Sequence, residues 1–520
     1  MRKYFLQAAA LFCMQACSSN IPQGSLVTIA PENISCDQYI GNGVQWSAYP
    51  HADSEDAQWG ALMDNPAKWD TLYQRLDYMQ PQFIRVMDQA NWRYYEGLDA
   101  AGMPIVNFDR PEMMALYRLL DYCQSRNITV VIGEWGTPHH MHEVEKKEAR
   151  LDGADDPRWT KMIIQYLNHL IHEKGYTCLK YYNLINEPNG DWASTLGNFR
   201  EWQQGVKALD QSLRQAGLKH QIKIAGPGSV PHYTYPEYKE EYSGKDWVKM
   251  STEQLDQQLG AYEIHAYLPA EEVRKGKAVE FTHFDQDFPL TQAKGKPFFV
   301  GEIGLKEEWG TPAYHENIER AKQDPHTAPE DSQMSVYDYQ YGVDMTDAVI
   351  QYMNAGGAGM IAWDVDDAMH TYGDLGNKNQ LKRWGFWNIL GTEICDNPAD
   401  EAIRPWYYPW SWSCKYFPAN TTILKPEFEN IEGLRITAGK FKEDYSVLLA
   451  NNCEQSHALH LEIPSMHKKT DFRIHQYVRA HPTTEKAEIT AKTLAKVKPA
   501  DGIAIEIPAK SVMVLTTFKD

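Results

Sequence analysis

Between Tyr39 and Asp364, eight short apolar, β-prone runs recur, and stretches with helical periodicity separate them. The runs are Tyr39–Trp46, Phe83–Val86, Thr129–Trp135, a run from Leu179 that stops at Glu187, Ile222–Pro227, Tyr262–Tyr267, Phe298–Gly304 and Met360–Asp364. Amphipathic helices are expected over Trp69–Met79, Pro111–Ser125 and about residues 336–353. In the second, Met114, Leu116, Leu119, Leu120 and Cys123 share one stripe. Such alternation builds βα units around a parallel sheet, and eight of them close into a (β/α)8 TIM barrel, an α/β fold. An open doubly wound sheet would carry a glycine-rich phosphate turn after its first strand. Here Gly41-Asn42-Gly43 leads to Trp46 with no third glycine.

The pattern changes past Pro405. Trp406–Pro418 is aromatic and proline-bearing. Short strands then follow at Val447–Ala450, Leu459–Ile463, Phe472–His475, Ile503–Ile507 and Val512–Leu515, with turn residues between them. That spacing predicts an antiparallel β-sandwich. The chain is therefore read as a catalytic barrel over residues 38–404 and an accessory sandwich over 405–520. Residues 18–37 form a tether with an N-terminal strand near Leu26–Ile29, which could join the sandwich.

Residues 1–17 read as a targeting segment. Arg2 and Lys3 give a basic start, an apolar stretch follows, and Met14-Gln15-Ala16-Cys17 has the form of a bacterial lipobox. Cys17 is the expected lipidation site, since bulky Phe12 disfavours Cys13. The expectation is an exported lipoprotein, periplasmic or at the cell surface, touching membrane only through its anchor. No later run reaches the ~20 apolar residues of a span. A formal charge of −19 excludes a nucleic-acid partner, which needs clustered Lys and Arg. The sequence carries no signal for an oligomeric state.

The fourth and seventh runs each place a glutamic acid at or near the strand mouth. The fourth stops at Asn186-Glu187-Pro188, where proline ends ladder donation, and the seventh contains Gly301-Glu302. A carboxylate at a strand mouth costs desolvation unless it is used. With these motifs the chain resembles glycoside hydrolase clan A, whose retaining members carry an Asn-Glu acid/base pair after strand 4 and a nucleophilic Glu after strand 7. The order of barrel then sandwich resembles families 30 and 39. The resemblance implies Glu187 as acid/base, Glu302 as nucleophile and Asn186 as partner of the sugar 2-hydroxyl. It also implies Arg85 supporting the nucleophile, His265 and Tyr267 as nucleophile partners, and Trp363 as the aromatic floor.

Trp46, Trp92, Trp135, Trp192 and Trp309 all follow predicted strands, where rings suit the C–H faces of sugars. Trp46 and Trp135 are taken as substrate-binding. Glu134 and Asp364 are weaker candidates, more readily surface acids. The expected activity is retaining cleavage of a β-linked poly- or oligosaccharide; the alternative is a non-catalytic glycan-binding lipoprotein on the same scaffold. No cofactor or metal is expected. His139, His140 and His142 with Glu143 lack the second histidine of H-E-x-x-H, and Asp364, Asp366 and Asp367 read as a solvated loop. The six cysteines after Cys17 contain no C-x-x-C, and Cys395 with Cys414 is the one pair considered for a disulfide.

Overall fold

The computed structural model describes residues 24–47, 49, 62, 65–139, 151–371, 380–481 and 484–519. Cys17, His140, His142 and Glu143 fall outside them. Strands Gly43–Gln45, Phe83–Asp88, Thr129–Glu134, Leu179–Asn183, Lys223–Ser229, Leu259–Leu268, Phe298–Leu305 and Met360–Ala362 each pair in parallel with the next. The eighth returns to the first through Ile361 opposite Gly43, closing the barrel. These are barrel strands one to eight below.

The period of two along a strand sorts the barrel interior into layers. Phe83, Val131, Ala225, Ala261, Phe299 and Ile361 form an apolar plug, with Phe83 and Phe299 meeting edge to face at 5.0 Å. Two residues further along their strands, Arg85 and Glu263 are fully buried, and Asn183 lies beside them with its Nδ2 2.8 Å from Glu263 Oε2. The interior thus changes from hydrocarbon to ions within one layer, and the next layer is the mouth.

Strand seven departs from strict alternation. Ile264 lies opposite Val300, but His265 lies opposite Glu302, so Gly301 is an extra residue in the ladder. Such a bulge re-aims a side chain. With Phe299 facing inward, plain alternation would turn Glu302 toward the outer helices; the bulge brings it into the mouth beside His265. Glycine is required at the bulge, because a Cβ there would sit 1.8 Å from Glu263 Oε1.

The helix Pro66–Met79 begins at Asn65, whose side chain accepts from the Lys68 amide, with proline at the first helical position. The helix Pro111–Ser125 buries Met113, Leu116, Leu119, Leu120 and Cys123. Met114, expected in that stripe, is 40% exposed. The helix Tyr339–Asn354 is buried on nearly every face, because it lies between barrel and sandwich. Its Tyr339 ring stacks on Tyr477 at 4.6 Å, and Asn354 donates to the Ile436 carbonyl at 2.8 Å. The aromatic stretch after Pro405, given no element from sequence, forms the helix Tyr407–Lys415, and Trp410 donates its indole N–H to the Gly43 carbonyl.

The C-terminal domain is a seven-stranded sheet packed on a four-stranded one over a core of Val27, Leu449, Leu461, Phe472, Met513 and their neighbours. Among the described residues its ladders are antiparallel but for one. Ser25–Thr28 runs parallel to His457–Glu462 inside the smaller sheet. Ile34–Cys36 edges the larger sheet. The six cysteines Cys36, Cys123, Cys178, Cys395, Cys414 and Cys453 are all free thiols, so the Cys395–Cys414 bridge considered from sequence does not form.

Candidate active site

Strand four ends at Asn183, and the chain turns out of the sheet through Asn186 and Glu187. Glu187 takes a left-handed backbone with φ +43°, which costs a non-glycine residue free energy and needs support from its surroundings. Asn189 supplies it. Its buried amide donates to the carbonyls of Val230 and Tyr233 and accepts from the Val230 amide, sewing this loop to the one after strand five.

Arg85, on strand two, is the fixed cation of the mouth. Its Nη1 lies 2.6 Å from Glu302 Oε1 and 3.1 Å from Gln45 Oε1, and its Nη2 lies 2.5 Å from Asn186 Oδ1. Its Nε stands 3.7 Å from Glu263 Oε1. A planar guanidinium is suited to holding several acceptors at fixed angles. The Tyr267 hydroxyl donates to Glu302 Oε2. Burial and the charge of Glu302 keep that phenol well above its ordinary pKa, so it stays a donor.

His265 is fully buried among three carboxylates. Its Nδ1 is 2.9 Å from Glu187 Oε1 and 3.6 Å from Glu302 Oε2, while Nε2 is 3.6 Å from Glu263 Oε1. The closer partner is Glu187, whereas the sequence reading paired His265 with Glu302. Burial alone would lower its pKa, but the charge of Glu302, the hydrogen bond with Glu187 and the nearby Glu263 carboxylate raise it to about 9, against repulsion from Arg85. Burial likewise pushes Glu187 up, yet His265, the Trp192 indole and Arg85 hold its carboxyl below the ordinary range. Both shifts favour imidazolium beside carboxylate in this pair. One reactive atom each of Glu187, His265 and Glu302 lies within 4.8 Å of the others. That trio is the one group among the described residues able to offer a metal three ligands, and Arg85 and Tyr267 already occupy the Glu302 oxygens.

A pH test follows. His265 is raised above its ordinary 6.5 in the folded protein, so the proton contributes stability that is fully present below about 6.5 and is lost as pH rises through about 9. Within that window the folded chain holds one more proton than the unfolded, a slope of about 1.4 kcal/mol per pH unit. The difference between wild-type and His265→Asn unfolding free energies, measured by urea from pH 6 to 10, is expected to shrink across the window. A constant difference would show that folding leaves the His265 pKa unchanged.

The mouth opens into a cleft of about 1360 Å³. Asn186, Glu187, Tyr267, Glu302, Trp135 and Trp363 line it, as do Trp92, Trp192 and Trp309. Trp363 meets the edge of Trp135 at 5.8 Å and stacks on His370 at 4.8 Å. One expected substrate contact lies elsewhere. Trp46 is fully buried, its ring edge-on to Tyr122 of the outer helix, because that position points away from the barrel axis. Arg85 and His265 are sealed beneath the cleft, in contact with its acids Glu302 and Glu187.

Burial overturns two further expectations. Glu134 is no surface acid: it accepts from Tyr94 at 2.9 Å, and burial pushes it up to about 8. Asp364, Asp366 and Asp367 form no solvated loop; all three are fully buried. Asp367 is clamped by Arg404 and Arg383, and Asp366 accepts from Tyr49 and the amides of Ala368 and Ile389. Burial raises Asp364 far above the ordinary range and drops nearby His370 to about 3.

Sequence reasoning missed Glu263, which looks like an ordinary strand residue; its inward parity with His265 and Tyr267 was the available signal. It also missed Lys382, which lines the cleft and pairs with Asp331 at 2.5 Å.

Together the closed barrel, its sandwich and the families they match define a glycoside hydrolase of clan A. The sequence model described as Cellulase (glycosyl hydrolase family 5) matches residues 41–369, more than half of the chain, and the chain belongs to that family. Among solved structures, a family 30 xylanase C catalytic domain from Talaromyces cellulolyticus aligns with TM-score 0.60 at 10% identity, over 95% of this chain and all of the other. A family 39 β-xylosidase from Caulobacter crescentus gives 0.56 at 11%, over 95% and 100%. An endo-β1,6-glucanase gives 0.56 at 15%, over 96% and 95%. At such identities the likeness is one of fold, and it extends through barrel and sandwich together. A comparison with curated proteins returns no match.

Proposed function

We propose that this glycoside hydrolase cleaves a β-linked poly- or oligosaccharide with retention, Glu302 serving as nucleophile and Glu187 as acid/base. The observation that carries the reading is the approach of the two carboxylates, with oxygens within 4.8 Å. Double displacement uses carboxyl groups roughly 5 to 5.5 Å apart, whereas inversion needs about 6.5 to 9.5 Å to admit water.

In the first step a Glu302 oxygen attacks the anomeric carbon while the proton held by the Glu187–His265 pair passes through Glu187 to the glycosidic oxygen. The C–O bond to the leaving sugar breaks and an ester to Glu302 forms. In the second, Glu187 takes a proton from water, which attacks the same carbon and frees Glu302. Arg85 and Tyr267 fix the nucleophile's orientation. Asn186, its Oδ1 held by Arg85, has its amide N–H groups left for the sugar 2-hydroxyl. Trp363 and Trp135 supply the floor on which the glycone rests.

The test is a panel of β-1,4-glucan, β-1,6-glucan, xylan, mannan and galactan, with proton NMR of the first-formed anomer. A β-configured first product from one of them is expected. An α-anomer would refute the nucleophile assignment, and no product from any glycan would leave the cleft a binding site.

A further inference from the structure

The Glu187 carboxylate is held from two sides, and only one side belongs to the nucleophile's network. Oε1 faces His265, which also touches Glu302, while Oε2 accepts the indole N–H of Trp192 at 2.8 Å. Trp192 therefore lies across the acid from Glu302. A proton delivered to a glycosidic oxygen leaves with the departing sugar, so the region beyond the acid is where that sugar must sit.

The Trp192 ring is built into this place. It is 46% exposed, lines the cleft, and leans on Tyr233 with centroids 4.6 Å apart. Gly190 makes the seat, since a Cβ there would lie 2.3 Å from the ring. The clasp of Asn189 on the carbonyls of Val230 and Tyr233 joins the two loops that carry the pair, and Thr195 ties the same loop to the Pro188 carbonyl. An exposed ring so firmly seated, with its one polar atom spent on a catalytic acid, suits the C–H face of a pyranose.

We infer that Trp192, with Tyr233, is the platform for the leaving-group sugar, and that its indole N–H positions Glu187 for proton delivery to that sugar's oxygen. Trp192 thus couples occupancy by a saccharide leaving group to the aim of the acid. This rests on the acid/base reading of Glu187.

The experiment compares two substrates of one sugar: the oligosaccharide cleaved best in the panel above and the matching 2,4-dinitrophenyl β-glycoside, which departs without proton assistance. Trp192→Phe keeps a ring but removes the donor; Trp192→Ala removes both. For the oligosaccharide, kcat/KM is expected to fall about tenfold in Trp192→Phe and about 100-fold or more in Trp192→Ala, within the range that general-acid catalysis and stacking supply. For the dinitrophenyl glycoside both variants should stay within about threefold of wild type, since a leaving group that needs no proton bypasses the acid. The alkaline limb of kcat/KM for the oligosaccharide should move to higher pH in Trp192→Phe, because an N–H donor to the carboxylate is gone.

Equal losses on both substrates would make Trp192 a structural residue and overturn the inference. So would unchanged kinetics on the oligosaccharide, or an unmoved alkaline limb. The parent reading fails separately: Glu187→Ala would then lose both substrates alike, whatever Trp192 does.

Discussion

Glu302→Gln is expected to lower kcat/KM on every cleaved glycan by at least about 10⁴-fold while leaving the fold intact, because a neutral amide cannot form the glycosyl ester. The substitution is nearly isosteric. An amide oxygen can still accept from Arg85, and Arg85 keeps Asn186 and Glu263 as partners, so the buried guanidinium is not stranded. The lost charge will be felt at His265, whose raised pKa draws chiefly on Glu302 once the opposing cost of burial is set aside. Initial rates, far-UV circular dichroism and a thermal melt on the same preparation check this. Turnover within tenfold of wild type would place the nucleophile elsewhere.

Glu187→Ala is expected to separate the two chemical steps. On unactivated glycans kcat/KM should fall about 10² to 10⁴-fold, the usual worth of a positioned general acid. With a 2,4-dinitrophenyl glycoside, kcat/KM should stay within a few-fold, while kcat drops because no base activates water for the second displacement. Azide at molar concentration should restore kcat by attacking the glycosyl ester itself, giving a β-glycosyl azide. An unrescued variant, or an α-azide, would contradict the assignment. Ordering of the loop is a separate matter: Trp192 loses its acceptor in this variant, but Asn189 and Thr195 still hold the turn.

The barrel was legible in the sequence because its strands are buried on both faces and so appear as continuous apolar runs, the fourth of them stopped by Pro188. Glu187 and Glu302 stood out because an acid at the end of such a run is costly without a task. Direction was harder to see. Trp46 follows its strand as Trp135 follows another, yet one faces the outer helix and the other the cleft, and the difference is a matter of parity within the register. The bulge at Gly301 left no mark in composition, since a glycine in a strand has several uses. That His265 sits closer to Glu187 than to Glu302 could not be read from sequence, because its two ring nitrogens reach three carboxylates and only coordinates rank those distances. The acids after strand eight were read as solvated because charge usually means surface. Asp367 is buried only because Arg383 and Arg404, also remote in sequence, are buried with it.

The parallel strand Ser25–Thr28 has a consequence for how the molecule comes into being. It precedes the barrel in the chain and yet pairs with His457–Glu462, more than 400 residues later, with the whole barrel strung between. The smaller sheet therefore cannot close until nearly all of the chain is present, and closing so long a loop is slow although its added entropic cost grows only logarithmically. Until then the early strand has no ladder partner of its own. Once docked it works as a latch: strands that precede and follow the barrel in the chain are fastened in one sheet, so the sandwich holds the barrel at both of its ends.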